Sequence, residues 1–141
     1  MKKTTGELLE LLKKSSNASS YIKDVSDDLI QQLPLGESLC ALIETKKLEK
    51  GELIRLSGLD RGYVYDILSG KKRPSRDKVL ALCFAMSLSV NETQQLLKST
   101  GYAALYIRIE RDSIILFGLQ HALSLMEVNE LLYEMNYGIL E

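Results

Sequence analysis

Along nearly the whole chain the apolar residues recur at spacings of three and four and almost never at two. That rhythm belongs to helices buried along one stripe, so the sequence predicts helix nearly everywhere and strand almost nowhere. The apolar runs are short, and residues with defined backbone preferences separate them. Gly58 and Gly70 stand where a helix needs a left-handed residue to close, and Asp60 and Ser75 stand where free amides need a side-chain acceptor. Pro74 fixes φ just ahead of the next helix. The expected fold class is all-α, a compact bundle of short helices.

Helices are expected over 6–14, from 21 or 24 to 32, and over 37–45, 50–57, 61–68, 76–86 and 91–100. The stretch Ser-Ser-Asn-Ala-Ser-Ser at 15–20 reads as a polar linker, and Leu-Pro-Leu-Gly at 33–36 as a helix break. Residues 76–105 and 111–140 align at a shift of 35 with nine identities in thirty positions. The matches include Arg76 with Arg111, Asp77 with Asp112, Ser89 with Ser124 and Tyr102 with Tyr137. Gly101 falls opposite Asn136, where each copy wants a left-handed stop. Two copies of one helical hairpin are expected, the second packing on the first to extend the core, because two units are too few for a solenoid. Three regions result: N-terminal helices and linker over 1–36, a central domain over 37–100 and a C-terminal hairpin over 101–141.

A composition of 45% hydrophobic and 26% charged residues supports a real core. No apolar run reaches the roughly 18 residues of a membrane span, and the opening Met-Lys-Lys-Thr-Thr leads into a charged amphipathic segment, so a cytoplasmic protein with no membrane partner is expected. Cys40 and Cys83 sit in apolar helical patterns without a second Cys or a His at ligand spacing, which predicts buried free thiols and no metal. His121, the only histidine, has no identifiable catalytic neighbour. With no phosphate-cradling glycine loop and no nucleophile beside a base, the expectation is a non-enzyme without cofactors. The Arg76-Asp77 and Arg111-Asp112 pairs open helices, where capping or ion pairing is the natural use of an acid.

Charge is unevenly spread. Ten Lys or Arg against five acids lie between Thr45 and Leu80, a balance of +5 in a chain of net charge -1. A basic middle in an acidic chain suits a surface that neutralises phosphates and, equally by composition alone, a merely solvated lysine face. Within it, Leu53, Leu56, Leu59, Val64, Ile67 and Leu68 are expected to face inward around a turn at Gly58. Arg61, Gly62, Tyr63, Tyr65, Asp66 and Ser69 then face outward. Two helices arranged in this way present the second one's outer side to base edges in a DNA groove.

The run from Leu48 to Ser75, with Leu-Ser-Gly-Leu in the turn and Gly-Lys-Lys-Arg-Pro-Ser after the second helix, resembles the XRE, or phage-repressor and Cro type, of helix-turn-helix regulators. The resemblance covers roughly 37–100, and a Gram-positive subgroup of that family is also similar through Arg111-Asp112 and the last hairpin. It implies a sequence-specific, double-stranded-DNA-binding transcriptional regulator. Lys50 would contact DNA at the start of the first helix of the pair, and Arg61, Tyr63 and Tyr65 would lie in the major groove. Lys71, Lys72 and Arg73 would lie along flanking phosphates. Asp66 faces the same groove and could accept from a cytosine amine or simply repel phosphate. Ile54 is larger than the small residue usual at its place, which predicts a splayed pair, and Gly51 and Gly62 fall inside helices. A homodimer would double the contacts and imply a palindromic site. The alternative is an adaptor that keeps the fold without binding DNA, its acidic C-terminal hairpin docking a protein partner.

Overall fold

The computed structural model describes residues 2–29 and 31–141, which fall into two compact units, Met1–Gln31 and Gln32–Glu141. Among the described residues every regular element is helical, and no helix is long and apolar enough to cross a membrane.

The first unit holds α1 (Thr5–Lys14), α2 (Ala18–Asp24) and a 3-10 turn at Ser26–Asp28. Thr4 caps α1 by accepting from the Glu7 amide at 3.1 Å, and Asn17 caps α2 by accepting from Ser20 at 3.0 Å. The stretch expected as a linker is therefore half helix. Asn17 supplies the acceptor that lets Ala-Ser-Ser start a turn despite weak propensity. The helix expected to reach residue 32 instead ends at Asp24, and Ile30, within that expected span, lies outside the described residues. Tyr21 is buried and donates its hydroxyl to the Leu8 carbonyl at 3.1 Å, pinning α2 to α1. The Lys3 amide donates to the Asp28 carboxylate at 2.7 Å.

The second unit contains α3 (Leu35–Thr45), α4 (Lys50–Ser57), α5 (Arg61–Leu68), α6 (Arg76–Ala85), α7 (Val90–Ser99), α8 (Glu110–Gln120) and α9 (Leu125–Glu134). Its centre is α6, in which every residue from Val79 to Phe84 is buried. A helix apolar on all sides has to be surrounded, and α4 and α9 pack directly on it. A break does interrupt the helices here, at 31–34, but the second half of the stretch expected as a break, Leu35 and Gly36, already opens α3, with Pro34 as its N-cap. The reason is that proline's missing amide is no loss where a helix has no partner for it.

Gly36 explains how α5 is held. A Cβ built there would stand 2.5 Å from the Leu68 carbonyl oxygen and 2.8 Å from that of Ile67. The first turn of α3 thus lies against the backbone at the end of α5, and a main-chain obstacle cannot rotate away. Gly36→Ala is expected to destabilise the protein by about 2 kcal/mol through forced backbone shifts, read as a lowered urea midpoint.

The 35-residue repeat exists in three dimensions, in detail well beyond the identities. Ser89 with Glu92 and Ser124 with Glu127 both form complete capping boxes. Ser87 and Ala122 both have positive φ after the first helix of their hairpins, and Gly101 and Asn136 do so after the second. The Gln94 amide clasps the Leu105 backbone at 2.7 and 2.8 Å, and Asn129 clasps that of Leu140 at 2.8 and 3.3 Å.

The hairpins are joined reciprocally. Arg76 donates to both oxygens of Asp112 at 3.0 and 2.9 Å, and Arg111 donates to both oxygens of Asp77 at 2.9 and 3.0 Å. Contacts of the form i to j and j to i define a local two-fold relation, and α6 against α9 with α7 against α8 obey it too. Cys83 is buried in α6, where burial pushes its thiol up to about 12. Cys40, expected buried, is only half-buried. His121 is exposed and lies against the Phe117 ring.

Candidate nucleic-acid interface

The segment α4–Gly58–α5 is built as local physics requires. Gly58 has φ +70° and closes α4 in the left-handed region. Asp60 then accepts from the Gly62 and Tyr63 amides and starts α5. Leu53, Ile54 and Ser57 of α4 are buried, as are Val64 and Ile67 of α5. The Ser57 hydroxyl is satisfied by donating to the Ile54 carbonyl and accepting from the Leu59 amide. Buried Ile54 and Ser57 turn α4 on its axis, so Leu56, expected inside, is 43% exposed. The two helices rest on different supports, α4 on α6 and α5 on α3.

Of the expected contact residues, Lys50, Arg61, Gly62, Lys71 and Lys72 are exposed, and Tyr65 is 43% exposed. The Lys50 ammonium stands 5.8 Å from the centre of the Tyr65 ring. This contact draws the start of α4 and the outer side of α5 into one surface, although fifteen residues separate them in sequence. Nothing stands within 4 Å of a Cβ built at Gly51, next to Lys50, so the chain's backbone is open to approach there.

Three residues depart from the expectation. Tyr63 is half-buried and packed against the core, with the ammonium groups of Lys72 and Lys78 at 5.3 and 5.4 Å from its ring. It orders two cations more than it offers a free ring. Asp66 is half-buried and paired with Lys72 at 3.6 Å, while the Lys72 amide donates to the Asp66 carbonyl at 3.1 Å. A carboxylate already beside an ammonium is partly neutralised. Arg73 donates to the Thr100 carbonyl at 2.9 Å and lays its guanidinium 4.2 Å from the Tyr102 ring centre. Its charge is near the surface but its geometry is committed to the fold.

Sequence reasoning missed Lys78 and Glu141. Lys78 reaches the Tyr63 ring from another helix, fifteen positions along the chain, and Glu141 lines the same concavity as Tyr63, Asp66, Lys72 and Lys78. The tail is fixed there by Asn129 on Leu140 and by Arg111 on the Gly138 carbonyl. No signal in the last residues announced that placement. A second surface is apolar: Met126 and Tyr133 of α9 are 73% and 77% exposed and flank a groove against Leu56 of α4, with Glu130 and Glu134 on its rim.

Comparison with protein-family models, curated protein sequences and solved structures gives no match to this chain.

Proposed function

We propose that the chain is a sequence-specific DNA-binding regulator of transcription, a helix-turn-helix protein of the phage-repressor type that reads the major groove with α5. The observation that carries this reading is the exposed surface where Lys50 meets Tyr65, with exposed Arg61 one turn earlier on α5 and exposed Lys71 and Lys72 following that helix in sequence. Arg61 at the first turn of α5 suits bidentate bonding to guanine, and Tyr65 suits a thymine methyl or a phosphate. Lys71 and Lys72 suit flanking phosphates, where released counterions favour binding. The open backbone at Gly51 suits close approach of the duplex. Selection of binding sites from random duplexes, followed by sequencing, tests the reading. Recovery of a short consensus supports it, and survivors without sequence preference would reject it.

The adaptor reading has its own supporting observation, the exposed Met126 and Tyr133 beside acidic Glu130 and Glu134. Flexible and aromatic side chains in an apolar groove suit an amphipathic helix of a protein partner. A DNA affinity that falls steeply with salt favours the regulator, and a flat, weak response favours the adaptor.

A further inference from the structure

α1 carries four leucines in five positions, Leu8, Leu9, Leu11 and Leu12, and none of its residues is buried. Leu9, Leu11 and Leu12 are 49%, 38% and 49% exposed. At about 100° per residue the four leucines span roughly 160° of the helix, a stripe on which Leu8 is half-buried and the other three are partly exposed to water. α2 touches α1 through Tyr21, but a ten-residue helix gains little stability of its own, and the part of the leucine stripe still exposed calls for a further partner.

The charges say which partner. Lys13 pairs with Glu10 on the far side at 3.6 Å, and among the described residues no such pair engages Glu7 or Lys14. Glu7 and Lys14 are seven residues apart, so they share a heptad position and lie along the same edge of the stripe, beside Leu11. When two such helices meet antiparallel about a two-fold axis, this edge meets its own copy. Glu7 of each then faces Lys14 of the other, and the helix dipoles oppose. A parallel pair would turn this edge toward the partner's opposite edge, leave Glu7 and Lys14 without each other, and align the helix dipoles.

We propose that α1 is a self-association helix: two copies of the chain pair through antiparallel α1 helices, with the leucine stripes in contact and two reciprocal Glu7–Lys14 ion pairs at the edges. The interface is smaller than the roughly 1,600 Å² of a standard complex, so the dimer is weak and forms in a concentration-dependent way. It does not depend on DNA, and its test uses none.

The test is sedimentation of the full chain over a concentration series at low salt. The unaltered chain should move from monomer to dimer. Glu7→Lys alone, and Lys14→Glu alone, should weaken the dimer roughly tenfold by turning both attractions into repulsions. The double exchange E7K/K14E should restore it to within about threefold, with the remaining loss assigned to charges that now oppose the dipole. Leu9→Asp with Leu12→Asp should leave only monomer, and circular dichroism reports whether α1 stays helical in each variant. A chain that is monomeric at every concentration overturns the proposal. So does a dimer indifferent to these changes, or a double exchange that fails to restore what the single ones lose.

Discussion

Replacing Asp112 with Ala should lower the unfolding free energy by about 3 kcal/mol, a large effect for one side chain. Asp112 is 3% exposed and takes three hydrogen bonds, two from Arg76 and one at 2.9 Å from the Tyr106 amide. Its removal leaves a largely enclosed guanidinium without a counter-charge and a backbone donor without an acceptor. Arg76 would keep its bonds to the Ala103 and Ala104 carbonyls, which limits the damage. Asp77→Ala, at the other arm of the reciprocal pair, should be milder because that carboxylate is a third exposed.

The same site gives a pH dependence of definite sign. Burial pushes the Asp112 carboxyl up, but the Arg76 guanidinium and the Tyr106 amide outweigh it and hold the group below the usual carboxylate range. The Ser89 amide and then Lys46 do the same for Glu92. A carboxylate depressed by folding contributes stability above its unfolded pKa, and that contribution is lost as pH falls through the folded value. Urea midpoints should therefore drop as pH falls below about 4. In Asp112→Asn the drop should be shallower from a lower starting point.

On a selected duplex, Arg61→Ala should weaken binding by about ten- to a hundredfold and relax the preference at one base position. Replacing Lys71 and Lys72 together should act on all sequences alike and reduce the salt slope by about 2. Arg73→Ala provides the contrast. Its guanidinium is spent on Thr100 and Tyr102, so it should lower the thermal midpoint more than it alters the salt slope. Fluorescence anisotropy against a salt series separates the three variants. A salt slope unchanged by the double lysine replacement would place DNA binding, if present, on another surface.

Where punctuation sits at both ends of a helix, sequence was enough. Asp60 and Ser69-Gly70 bound α5, and it spans Arg61–Leu68 as expected. Where a boundary depends on a lone cap in a poor helix-forming stretch, as at Asn17, composition misled. Leu56 shows a different failure, because three-residue spacing from Leu53 places it inside while buried Ile54 and Ser57 turn it out. In the candidate interface the exposed cations could be found from charge density alone. The commitment of Arg73, the neutralisation of Asp66 and the approach of Lys78 and Glu141 could not, since each depends on a partner at least six residues away or on another helix. The equivalence of Gln94 and Asn129 was hidden for a simpler reason: two different side chains offer the same amide.

The crossed Arg–Asp contacts have a consequence for assembly. Had the two hairpins belonged to separate polypeptides, their meeting would obey mass action and dilution would part them. Tethered within one chain, each finds the other at an effective concentration set by a short connection. That pairing persists at any abundance of the protein, and the surfaces it occupies are closed to every competitor.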